Sequence, residues 1–142
     1  LLKGSEGLSK EDSIEPILKQ GTWGIGFIGL AETLIALTGQ HHGESLESKD
    51  LGVKIVSYIR NFTDRLTEET SLNWSCYATP AEGLSGKFIK QDKKIFGTIK
   101  GVTDKDYYTN SFHIPVNYPI SIKDKIDTIE ELVEDGEVEN AN

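Results

Sequence analysis

A chain of 142 residues with 37% hydrophobic side chains is the size of one domain and has enough apolar content to build a core. Its formal charge of -8 excludes broad electrostatic binding to nucleic acid or anionic membrane, both themselves negative, and leaves room only for a local cationic pocket. One cysteine, Cys76, excludes an internal disulfide and a thiolate-rich zinc cluster, and without a long apolar run or a signal-like start the expected location is cytoplasmic.

Residues 1–20 are polar and glycine-containing and read as a connector that ends in a short helical turn near 16–19. The start L-L-K-G, without methionine, and the acidic end E-V-E-N-A-N are expected of a piece of something longer. In residues 22–39, Ile25 and Phe27 fit a short buried strand, and Leu30, Leu34 and Leu37 fit a helix stopped by Gly39. Both elements are almost wholly apolar, so burial on several sides is expected. Gly24, Gly26 and Gly29 spell G-x-G-x-x-G, but the residues before them, K-Q-G-T-W, are not an apolar strand and no further βαβ repeat follows. Close strand and helix packing explains these glycines better than a dinucleotide site.

His41, His42 and Glu44 are neighbours on one loop with diverging side chains, and His113 is distant in sequence, so a structural or substrate-pocket loop is favoured over a metal site. Ser45 caps a helix predicted over 46–69, whose Leu51, Ile55, Ile59, Phe62 and Leu66 form one buried stripe, with Asp50 and Lys54 paired on the surface. The sequon Asn61-Phe62-Thr63 lies inside that helix and reads as chance.

The centre of the chain is the run 72–88. Leu72, Trp74, Cys76 and Ala78 alternate with Asn73, Ser75 and Tyr77, the period of a strand. Thr79, Pro80 and Glu82 then read as a T-x-x-E capping box with proline at the first helical position, so a helix over 80–96 is expected to begin where the strand stops. Small residues in its opening turns, Gly83, Ser85 and Gly86, cost helix propensity. They suit a phosphate cradle, in which free backbone N–H groups and the positive end of the macrodipole meet an anion. They equally suit a tight junction whose glycines only permit packing.

Leu84, Phe88 and Ile95 are expected inward, while Lys87, Lys90 and Lys94 form a neighbouring, solvated face, and Gly97 and Gly101 end the unit. Tyr107, Tyr108, Asn110 and His113 lead into a strand that Pro115 and Pro119 restrict to an edge; they suit either a small-molecule pocket or an ordinary wrapped loop. Ser121 caps a final helix, and the seven acids between 127 and 139 predict a solvated or frayed tail over 127–142. The residues alone thus give an α/β domain with a candidate anion site and no catalytic constellation.

Five stretches in order, G-I-G-F-I-G-L-A-E-T-L, L-T-G-Q-H-H-G-E-S, L-N-W-S-C-Y-A-T-P-A-E-G-L-S-G-K-F, G-V-T-D-K-D-Y-Y-T-N-S-F-H-I-P-V and Y-P-I-S, together resemble the anaerobic, class III ribonucleoside-triphosphate reductases, which are glycyl-radical enzymes. The resemblance covers about residues 14–126, with 22–126 as its core. It implies a partial segment of a ten-stranded α/β barrel, in which Ala81, Glu82, Gly83, Leu84 and Ser85, entered through Thr79 and Pro80, hold substrate phosphates, with His41, His42, Tyr107, Tyr108, Asn110 and His113 as pocket candidates. For the whole enzyme it implies a glycyl radical, a thiyl radical on a loop cysteine, formate as reductant, a four-cysteine zinc site, an iron–sulfur, S-adenosylmethionine-dependent activating partner and a homodimer. None of those radical or zinc motifs occurs in these residues, and the position of Cys76 does not match the radical cysteine. A non-catalytic nucleotide- or phosphate-binding module is the alternative, and a relic of the barrel that binds nothing is a third reading.

Overall fold

The computed structural model describes residues 4–134 and 139–140. Two parallel strands, β1 (Thr22–Phe27) and β2 (Asn73–Ala78), pair from Thr22↔Asn73 to Phe27↔Ala78. A two-residue strand β3 (Glu139–Asn140) adds to the other edge of β2, also parallel, giving the order β1-β2-β3. A parallel pair needs a long crossover to bring the chain back to the same end. Here α2 (Leu30–Thr38) and the 25-residue α3 (Leu46–Thr70) supply it, after a single helical turn α1 (Glu15–Leu18). Then α4 (Glu82–Phe96) follows β2, and α5 (Ile122–Glu134) packs back on α3. The architecture is mixed α/β, as the sequence predicts.

Leu30, Leu34, Val56, Cys76, Phe112 and Leu132 form the buried centre. The face α3 turns to it is offset from the expected stripe: Ser48, Gly52, Val56 and Thr63 are buried, Leu51, Ile55 and Ile59 flank them, and Phe62 is exposed. Small residues win the central positions because α2 and α5 come close. A Cβ on Gly52 would stand 3.3 Å from Leu34 Cδ1 and 3.6 Å from Leu132 Cδ2. Ser45 caps α3 as expected, accepting from the Ser48 N–H at 3.2 Å. On its surface Lys49 reaches Glu131 of α5, in place of the predicted Asp50–Lys54 pair.

Three further expectations are corrected. Leu84, Phe88 and Ile95 are exposed, and Ser85 and Ile89 are the buried residues of α4, so the buried line of this helix runs beside the expected apolar stripe. The short strand expected after residue 108 reduces to one antiparallel bridge, Ile28↔Asn110. Turns closed by His113 N–H to Asn110 O (3.0 Å) and Tyr118 N–H to Pro115 O (3.0 Å) then take up the backbone groups a ladder would need. The acid-rich end is helical up to Glu134, with Leu132 fully buried and Ser121 accepting from the Asp124 N–H at 3.1 Å. The frayed tail expected beyond that helix falls largely outside the described residues.

A candidate anion site at the end of the second strand

At the carboxyl end of β2 the chain passes through Thr79 and Pro80 to Ala81 (φ -103°, ψ 56°), and α4 begins at Glu82. The predicted capping box does not form, since no side chain caps the helix, which starts two residues after Pro80. The cause lies in β1. Register brings Gly26 opposite Tyr77, and Thr79 packs its side chain into the space a Cβ on Gly26 would occupy, so its hydroxyl points away from the helix start. Thr79 Oγ1 is buried without a hydrogen-bond partner.

The helix entrance is instead fixed from two other directions. Ala81 donates its N–H to Asn110 Oδ1 at 3.3 Å, and Ser85 donates its N–H to Ala81 O at 2.9 Å and its hydroxyl to Glu82 O at 2.9 Å. That leaves the amides of Glu82, Gly83 and Leu84 at the head of α4 with no acceptor among the described residues. A Cβ on Gly83 would meet no atom within 4 Å, so the space before these amides is open.

Beside this turn lies a hollow of about 290 Å³ lined by Thr79, Pro80, Asn110, Phe112, His113 and Ile129. Asn110 and His113 also border a second hollow of about 450 Å³ with Lys105, Tyr107 and Lys125. Of the six pocket candidates, Asn110 and His113 are therefore brought to the loop, and Tyr107 lies one hollow away. Tyr108 turns its hydroxyl toward α4 and donates to Asp92 Oδ2 at 2.8 Å. His41 and His42 border neither hollow. His42 is buried, and its Nε2–H donates to Phe112 O at 2.7 Å, which leaves Nδ1 bare. Burial pushes its pKa down to about 4, the Phe112 carbonyl opposing only in part. His41 accepts the Gly43 N–H at Nδ1 (3.1 Å) and packs edge-on against Tyr118 with ring centres 4.6 Å apart. Both histidines brace the far side of the 110–118 loop. The pKa of His113 is lowered by burial and then by the charge of Lys125.

The G-x-G-x-x-G junction after β1 is built differently. Gly29 (φ 77°) caps α2, but its N–H donates to Thr109 O at 2.7 Å and the Leu30 N–H donates to Ser111 O at 3.3 Å. Just inside α2, the buried Glu32 receives three donors on Oε1: Lys105 Nζ at 2.6 Å, Thr109 Oγ1 at 2.7 Å and the Thr109 N–H at 3.1 Å. Sequence reasoning passed over Glu32, Lys105, Thr109 and Lys125. The available signal was the one charged residue of a mostly apolar helical stretch, L-A-E-T-L-I-A-L.

Chemically, three free amides at the positive end of a helix dipole are the donors an anion would need, and Lys125 borders the neighbouring hollow. No group of three or more His, Cys, Asp or Glu side chains placed to hold a metal exists among the described residues. Cys76 is buried in the core, and desolvation pushes its thiol pKa up. No helix among the described residues is long and apolar enough to cross a membrane.

Comparison with known proteins gives one consistent result. Residues 1–135 match the anaerobic ribonucleoside-triphosphate reductase family. The chain is 42% identical over 125 residues to the anaerobic ribonucleoside-triphosphate reductase of Escherichia coli K12, covering 84% of this chain and 17% of that protein. It is 42% identical to the protein of the same name from Salmonella typhimurium, over the same shares of both chains. With that of enterobacteria phage T4 the identity is 36% over 121 residues, 84% of this chain and 18% of the phage protein. The chain thus spans under a fifth of the length of these relatives. By family match and by identity along most of its length, the chain belongs to the anaerobic ribonucleoside-triphosphate reductase family.

Proposed function

We propose that this chain is a segment of an enzyme that reduces ribonucleoside triphosphates to deoxyribonucleoside triphosphates by radical chemistry, and that residues 79–85 cradle the substrate phosphates. The observation that carries this reading is the open helix start: the amides of Glu82, Gly83 and Leu84 face free space at the carboxyl end of a parallel strand, the usual ligand position in α/β folds. Thr79 and Pro80 shape the entry, Ala81 is anchored by Asn110, and Ser85 locks the first turn. In the same reading β1 and β2 are neighbouring strands of the ten-stranded barrel, and Leu84 and Ile95 are covered by segments outside these residues. Identity to named reductases along most of the chain favours this over a free-standing phosphate-binding module.

The glycyl radical, the thiyl cysteine, the formate site and the four-cysteine zinc site belong, in this reading, to other segments. The single cysteine here is a buried core residue and no metal-ligand cluster exists among the described residues, so these side chains do not fit those groups. The activating partner with its iron–sulfur cluster and S-adenosylmethionine, the homodimer and the cytoplasmic location are likewise attributes of the whole enzyme.

The test is Gly83→Val in the full-length protein. Because a side chain at 83 meets open space, the fold is expected to melt within about 0.5 kcal/mol of the parent. The methyl groups block the amides, so KM for the nucleotide is expected to rise about tenfold or more with a smaller change in kcat. An unchanged KM would count against the cradle.

A further inference from the structure

We propose that the cleft between α2 and α4 is a binding site for an organic cation: a protonated amine, amidine or guanidine carried on an apolar body and held by Glu32. The cleft measures about 580 Å³, and its walls are mostly apolar, with Phe27, Leu37, Phe88 and Val102 around Glu32, Asp92 and Tyr108. Small-molecule sites have this build, an apolar hollow with a few fixed polar groups. It lies apart from the phosphate turn: residues 79–85 do not line it.

Glu32 is 2% exposed, and its two oxygens are unequal. Oε1 is saturated by Lys105 and Thr109, which lock the carboxylate in place, whereas Oε2 is buried with no donor among the described residues. A buried carboxylate oxygen without a partner forfeits its hydration for nothing, and native structures seldom leave one so. Supplying a donor recovers that loss, and a charged donor recovers most.

The sign of the charge follows from the neighbours. Lys105 offsets one of the two carboxylates, Glu32 and Asp92, so the polar end of the cleft keeps a net negative charge. The Tyr108 hydroxyl is pushed up to about 12, by burial first and then by Asp92 and Glu32, so it stays a neutral donor and the negative charge of the cleft comes from the carboxylates alone. Aromatic side chains beside the carboxylates favour an organic cation over a bare metal ion. The positions cooperate sterically too: the space nearest Oε2 is kept by Gly29, whose added Cβ would lie 3.6 Å from that oxygen.

Benzamidine is a suitable probe and benzyl alcohol its uncharged counterpart. Isothermal titration of the full-length protein is expected to show benzamidine binding at least about tenfold more tightly than benzyl alcohol, and Glu32→Gln to weaken it by about tenfold. Should Glu32→Gln fail to fold, Ala36→Phe provides the second variant, since Ala36 is an exposed wall residue and a larger side chain there fills the cleft while leaving the Glu32 carboxylate in the chain. A flat titration, whatever group is then found against Oε2 in a crystal structure of the full-length protein, counts against the site, and a Lys or Arg nitrogen from another segment there would identify the partner that takes its place. Equal binding of both probes, or binding indifferent to the tested variant, likewise overturns the proposal. None of these outcomes depends on the KM of Gly83→Val.

Discussion

The two strand-to-helix junctions of this chain both place small residues at a helix start and end in opposite states. After β1 a glycine opens α2, and the 109–111 loop crosses over it, taking the Gly29 and Leu30 amides on the carbonyls of Thr109 and Ser111. After β2, glycine and serine open α4, and the same loop stops at its doorstep, with Asn110 holding Ala81 and the next three amides left free. Small residues at a helix start therefore do not make an anion site by themselves. What decides is whether another backbone arrives to use the donors.

The contrast can be broken most strongly through the loop that makes it. His42 holds the Phe112 carbonyl and is kept neutral by burial. Its folded pKa of about 4 lies below the ordinary value of 6.5, so the unfolded chain binds more protons between those values. Stability is thus complete above about pH 6.5 and falls as the pH drops toward 4, by about 3 kcal/mol from this group alone. The lowered pKa values of His41 and His113 act with the same sign. Melts from pH 7 to pH 4 are expected to show this loss, and His42→Gln, whose amide still donates to Phe112 O, is expected to remove the largest share of it.

Gly26→Val is next in size. It forces Thr79 out of its place beside β1 and is expected to cost about 2–3 kcal/mol in thermal or denaturant unfolding, the penalty of an overpacked site. Asn110→Ala sharpens the contrast with the smallest effect. Losing the acceptor of the Ala81 N–H is expected to cost about 1 kcal/mol and to raise KM for the nucleotide a few-fold, while Gly29 and Leu30, which use the backbone of Thr109 and Ser111, stay closed.

Much of this was legible in the residues. The period-two run at 73–78, the Ser45 and Ser121 caps and the Gly39 stop all stand where local chemistry puts them. Gly24 and Gly26 stand in the close packing expected of them, where a Cβ would meet Tyr77 and Thr79. The failures share one cause, which is partners distant in sequence. Thr79 looked like a cap because its rival, the gap at Gly26, lies on a strand joined to it only by register. Leu84, Phe88 and Ile95 looked buried because periodicity marks an apolar face without saying what covers it. Glu32 was overlooked because its three donors come from residues 105 and 109, more than 70 positions away.

Strand register also sets the order of assembly. Thr22 and Asn73 face each other across β1 and β2 although about 50 residues separate them, and a loop of that length closes only against a substantial entropy cost. Loop-closure entropy thus predicts that pairing follows the collapse of α2 and α3 on one another, with the edges of both strands open to a neighbouring chain until then. Gly52, where those helices touch, is therefore the position whose enlargement is expected to prolong the exposure of the nascent sheet to mispairing.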